Sequence, residues 1–261
     1  MSLPLASLTL WWREQVRFFR QGSRVFGAFI QPLMFWALFG SGLRASFRPP
    51  AGGGLGYFEY FFPGTVIMIL LFTAIFSTIS VIEDRKEGFL QGVLVAPVAR
   101  SAVVLGKVLG GTTLAVLQGT LLLALAPLAG IALAPLVFLE AVALQLVVAF
   151  ALTALSFCIA WRMDSTQGFH AIMTVFLMPL WLLSGAFFPA QGVPGWLGLL
   201  MRINPLTYGV AALRRILHPG GAAGDAGLPS MGFSLAVTVV FAAGTFTLAS
   251  FLARRRGAEG R

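Results

Sequence analysis

The chain has 261 residues, of which 58% are hydrophobic and 10% charged. A soluble domain carries about 25% charged residues, so the composition excludes a string of soluble domains and points to an integral membrane protein. The net charge of +9 would raise nucleic acid as a partner in a soluble protein, but here the basic residues flank apolar runs and read as membrane orientation, with no nucleic acid.

The first 24 residues predict a helix lying in the membrane interface. At 100° per residue Leu8, Trp12, Val16 and Phe19 share one face, and Arg13, Arg17, Arg20 and Arg24 gather on nearly the opposite one. The aromatics suit the acyl boundary and the arginines suit lipid phosphates. This start could mimic a signal peptide, but the apolar run that follows is longer than a usual h-region, so it reads as an uncleaved first helix.

Six apolar runs are long enough to cross a bilayer, at about 25–43, 61–82, 108–131, 136–160, 169–188 and 231–252. The shortest gives roughly 28 Å of helix against a hydrocarbon core of about 30 Å. Backbone groups in lipid must be satisfied internally, so the runs are expected as helices, and the alternating strands of an outer-membrane barrel are absent. The expected fold is all-α, one transmembrane domain over 1–261.

Between the fifth and sixth runs, 189–217 is apolar but broken by Pro189, Pro194 and Pro205. The pieces are too short to span and predict re-entrant or interfacial helices. Asn204 before Pro205 marks a helix start, and Arg214 with Arg215 suits a helix end. The glycine-rich stretch after it reads as a turn.

Six spans place both termini on one side. Only Arg44, Arg48, Arg202, Arg214 and Arg215, five of the 18 basic residues, fall on the other. The termini are therefore expected in the cytoplasm of a multi-pass inner (plasma) membrane protein.

One stretch breaks the apolar pattern. Glu83, Asp84, Arg85, Lys86 and Glu87 stand in a row between the second and third runs. The acids are expected to open a short helix, where its dipole favours them. Phe89, Leu90, Val93 and Leu94 then make one apolar face, and Pro97 stops the helix. Such an element, at 83–100, fits a groove on a cytoplasmic partner, with apolar residues docking and charges setting register. A plain solvated loop is the competing reading.

Polar groups inside the runs are candidates for a substrate path: Gln31, Thr73, Ser77, Gln118 and Gln145. Cross-helix hydrogen bonding explains the glutamines equally well, and Glu140 fits the headgroup level. Gly106 and Gly110 form a small-xxx-small pair that hints at close helix packing. The single Cys158 and the lone His170 lack partners for a metal or catalytic site, so none is read.

The stretch "EDRKEGFLQGVLVAPVARSAVVLGKVLG" resembles a signature of ABC-type-2 exporter permeases, the membrane subunits of daunorubicin-resistance, polysaccharide-export and nodulation-factor-export systems. A second stretch, "LMPLWLLSGAFFPAQGVPGWLGLLMRINPLTYGVAALRRIL", resembles the family's outer segment. The resemblance implies that 83–100 is a cytoplasmic coupling helix on a P-loop ATPase subunit. It implies a second permease copy, most simply a homodimer, and surrounding membrane lipid. It also supplies the outward direction of transport. The chain has no Gly-x-x-x-x-Gly-Lys-Ser/Thr, since Gly106-Lys107 is followed by Val108. ATP and Mg²⁺ are therefore expected on the partner, with no cofactor on this chain and no enzyme activity of its own.

The cargo implied is hydrophobic, drug-like or lipid-like, because the chain has 24 Phe but 3 Tyr. A polysaccharide or lipo-oligosaccharide exporter is the alternative. An intramembrane enzyme or a membrane scaffold are the readings from other classes. The three aspartates and two histidines give an enzyme no metal or base motif.

Overall fold

The protein is described here by a computed structural model covering residues 3–42, 56–219 and 229–255, less the side chains of 3, 23–25, 28 and 94. The expected turn at 220–228, the side chain of Arg24, and Arg44, Arg48, Arg256 and Arg261 lie outside the described residues. Every regular element among the described residues is helical.

The first helix, α1 (Leu3–Arg20), leads into α2 (Gly22–Gly42), which covers the first expected run and contains Pro32. The next helix, α3 (Tyr57–Lys86), has 30 residues. It reaches about 45 Å, well past a hydrocarbon core of about 30 Å. Its last turn, Glu83–Lys86, therefore projects beyond an apolar layer.

This corrects the expected placement of the acids. Glu83 and Asp84 end α3, Glu87 caps it, and α4 (Phe89–Val95) begins only after Gly88. Gly88 has φ 77°, the left-handed conformation that ends helices and that side-chain-bearing residues rarely adopt. Its N–H bonds to the Arg85 carbonyl at 3.2 Å. Acids at a helix C-terminus oppose the helix dipole, so they need cations nearby.

The helix that carries the third run also starts earlier than the run itself. Helix α5 runs Arg100–Leu123, starting eight residues before the expected 108, and a 3₁₀ turn follows at Ala126–Ala129. Lys107 lies inside the helix because acidic partners neutralise it. Pro127 sits at the start of the turn, where a proline cannot continue α5.

The remaining elements are α6 (Pro135–Ala160), α7 (Thr166–Trp181), α8 (Gly195–Ile203), α9 (Pro205–Leu217) and α10 (Met231–Arg255). Ser165 caps α7, accepting from the Gly168 N–H at 3.2 Å. The chain continues from α7 through a wide turn, Leu182–Ala186. Among the described residues five helices are long and apolar enough to cross a membrane: α3, α5, α6, α7 with this extension, and α10.

Helix α3 is the centre of the bundle, with α2, α5, α6 and α7 packed around it. Its most apolar window is 89% buried, against 22% for α10 at the periphery. Helix α1 lies along α5. A Cβ on Gly106 would stand 2.8 Å from Leu10 Cβ, and one on Gly110 2.7 Å from Glu14 Cβ. The small-residue pair thus receives α1. Hydrogen bonds fasten the contact, among them Ser7 Oγ to the Ala102 carbonyl (3.1 Å), Trp11 Nε1 to Thr113 Oγ1 (2.9 Å) and Gln15 Nε2 to the Gly110 carbonyl (3.0 Å).

Gly106→Leu should force α1 off α5 at a cost of about 1–3 kcal/mol, read as a lower thermal midpoint in detergent. Gly232→Ala on α10, where nothing lies within 4 Å, should leave the midpoint in place.

Candidate functional site

The charged row and the arginine helix meet. Asp84 is fully buried at the end of α3. Arg13 reaches it with both terminal nitrogens, each at 2.8 Å. Arg17 Nη1 donates to the same carboxylate at 2.5 Å, and Lys107 Nζ of α5 donates to it as well. Lys107 also bonds Glu14 Oε1 at 2.5 Å, and Ser80 Oγ donates to Glu14 Oε2 at 2.5 Å. The cluster is a clamp that joins α1, α3 and α5.

Burying ions is costly unless they are paired and hydrogen-bonded. Here Asp84 and Glu14, both buried, share the buried Lys107, and the two half-buried arginines complete the balance. Burial alone would lower the Arg13 pKa, but its hydrogen bond to Asp84 and the surrounding carboxylates raise it above its ordinary value.

Two expectations change. Arg13 and Arg17 do not turn outward toward lipid phosphates; they face Asp84, whose buried charge they neutralise together with Lys107. Leu8, Trp12 and Phe19 do stand exposed on the opposite side, and Arg20 is exposed near them. The five charges in a row are also not one surface. Glu83 pairs with Arg17 at 2.8 Å. Arg85 donates to the Met163 carbonyl at 2.8 Å, to the Trp161 carbonyl, and to Asp164 at 3.1 Å. Only Lys86 and Glu87 are exposed.

Helix α4 shows the same division. Leu90 is buried, and Phe89 and Val93 are half-buried against the core. The apolar face predicted for docking is therefore seated on the bundle itself, with the Leu94 side chain outside the described residues. Gln91, Val95, Ala96 and Pro97 form the exposed side. The Arg13 guanidinium lies 3.8 Å from the centre of the Phe89 ring. One residue thus ties α4 to α1 and to Asp84, by a cation–π contact of about 0.5–2 kcal/mol.

The outer segment has its own lock. Gly185, at φ 77°, presents its carbonyl to Tyr60 Oη and to Arg214 Nη2, both at 3.0 Å. Arg214 is buried, 4.0 Å from the centre of the Tyr60 ring, instead of lying free at a helix end. Asn204 caps α9 as expected, accepting from the Leu206 N–H at 3.0 Å while donating to the Leu180 carbonyl at 2.5 Å. Burial and the Arg214 charge push His218 down to about 4, so it is neutral at pH 7 beside Glu59.

A family model described as ABC-2 type transporter matches residues 6–218, a range that contains the clamp, α4 and the outer lock. The chain belongs to the ABC-2 type transporter family. It is a multi-pass membrane protein of the permease kind. It is 24% identical to the daunorubicin resistance ABC transporter permease protein DrrB1 of Streptomyces coeruleorubidus, over 97% of this chain and 88% of that one. It is 30% identical to the probable multidrug ABC transporter permease YbhR of Escherichia coli K12, over 77% of this chain and 54% of that protein. A putative transport permease, ycf38 of Cyanophora paradoxa, is 25% identical over 71% of this chain. The match spans 64% of the length of that protein, under two thirds, as with YbhR.

In this ABC-2 permease the candidate path residues do not form one open wall. Thr73 Oγ1 donates to Gln118 Oε1 at 2.5 Å across α3 and α5. Gln145, fully buried on α6, lies over Gly119 and has no hydrogen-bond partner among the described residues at either end of its amide. Ser77 bonds the Ala74 carbonyl of its own helix at 3.1 Å. All four are packed inside one protomer, whereas Gln31 stands half-exposed on α2. The residue that sequence reasoning missed is Glu14. Its signal was available, since it is the one acid in a helix with three arginines.

Removing one member of a buried ion cluster strands the others. Asp84→Ala or Lys107→Met should destabilise the permease by about 3–5 kcal/mol, seen as loss of the thermal transition or of monodisperse protein. Lys86→Ala and Glu87→Ala should stay within about 0.5 kcal/mol of the parent.

Proposed function

We propose that this permease is the membrane half of an ATP-driven exporter whose P-loop ATPase docks on the exposed side of α4 and on the Lys86–Glu87 corner. ATP and Mg²⁺ belong to that subunit. Two permease copies pair, each with its ATPase. Both termini and α4 face the cytoplasm of the inner membrane, α2 supplies the sixth span, and α1 rests in the cytoplasmic interface with Trp12 toward lipid.

The observation that carries this reading is the tip of α4. Val95 is 88% exposed, next to exposed Ala96 and Pro97, on a segment whose other face is buried. An apolar tip rimmed by Gln91, Lys86 and Glu87 has the composition of a small docking surface. The clamp supplies the other requirement, a rigid connection. A push on α4 reaches α3 through Leu90 and Phe89, and reaches α1 and α5 through Arg13, Asp84 and Lys107.

The cargo is a hydrophobic drug-like or lipid-like molecule. The names of DrrB1 and YbhR, a daunorubicin resistance permease and a probable multidrug permease, support that class. Cargo leaves between the two permeases when the ATPases close.

Val95→Asp combined with Glu87→Lys should abolish co-purification with the ATPase and stimulation of its activity, while the thermal midpoint of the permease stays unchanged. Retained assembly in that variant would remove the docking assignment. Reversing Asp84 is a poor test, because it breaks the clamp before it reaches any partner.

A further inference from the structure

The described residues leave one ionisable group in an apolar wall that neither the clamp nor the docking surface uses. Helices α6, α9 and α10 enclose a groove of about 560 Å³. Small-molecule sites span about 300–1,000 Å³. Val147 of α6, Ile216 of α9, and Leu235 and Val239 of α10 line it. Val239 is 53% exposed, and α10 is the least buried of the apolar helices, so the groove opens to the side of the bundle.

Glu140 stands in this wall, exposed on the second turn of α6, with no hydrogen-bond or ion-pair partner among the described residues. The other polar lining residue, Thr238, has spent its hydroxyl on the Ser234 carbonyl at 2.8 Å. An exposed carboxylate at the edge of an apolar groove is placed to pair with a cation that the groove admits. A hydrated metal ion could pair with the carboxylate but would leave the apolar wall unused, because such ions keep a shell of oxygen ligands. A cation carrying its own apolar body uses both.

We propose that this groove holds a membrane-resident amphiphile with a primary ammonium head, its charge on Glu140 and its chain along Val147, Leu235 and Val239. Charge complementarity sets the head, and the apolar wall sets the tail. The site lies on the flank of a single protomer, and its occupancy requires neither ATP nor the ATPase.

The test uses the full chain in phosphatidylcholine nanodiscs with photoreactive dodecylamine and its neutral alcohol analogue, cross-links being mapped by mass spectrometry. The amine should label α6 and α10 saturably. Glu140→Gln should raise its half-saturation about tenfold, and Glu140→Asp should keep most of the labelling. Ala143→Trp, which fills the groove from α6, should abolish labelling at an unchanged thermal midpoint. The alcohol should show no difference between Glu140 and Gln. Equal labelling of parent and Glu140→Gln by the amine, or cross-links scattered over every lipid-facing helix, would overturn the proposal.

Discussion

A carboxylate with no access to water, Asp84, sets the arrangement of one end of this bundle. Its charge has to be balanced inside the protein, and three cations from two other helices converge to do so. Lys107 brings α5 against α3. Arg13 and Arg17 bring α1 across both. Glu14 then balances Lys107 and recruits Ser80. The position of α1, the early start of α5 and the charged last turn of α3 are consequences of one buried ion network.

That network also defines what α4 can do. Arg13 holds Asp84 with its nitrogens and the Phe89 ring with its guanidinium face. The short helix is therefore attached on two sides, by its own Leu90 in the core and by the clamp. The opposite end of the molecule uses no ion pair for its central lock. There a carbonyl, freed by the left-handed Gly185, takes hydrogen bonds from Tyr60 and from the buried Arg214. Both locks secure α3, the helix with the most buried surface, so the outer segment and α4 are fixed to opposite ends of the same rod.

Much of this was legible in the sequence. Apolar runs gave the long helices, the two signatures gave the family, and Asn204-Pro205 gave the start of α9. The errors share one cause. A linear sequence shows the sign and spacing of charges but not what faces them, and the partners of Asp84 lie up to 71 residues away. The row at Glu83–Glu87 therefore read as one exposed patch, and Arg13 and Arg17 read as lipid contacts. Lys107 looked like the end of a loop because an unpaired lysine does not belong in a span. Gly88 carried a usable local signal, since a glycine after a polar turn ends helices more often than it continues them. Gly106 and Gly110 announced close packing, but only the fold names α1 as the neighbour.

If the proposed ATPase docks on α4, then α1, α4 and the end of α3 move as one body when it binds ATP. Electron–electron resonance between spin labels at the exposed Arg20 and Gln91 tests it most directly, in the permease–ATPase complex with and without ATP. One distance distribution, unchanged by nucleotide, is the expected result. A second or shifted peak on adding ATP would mean that α4 moves independently of the clamp, and would contradict it.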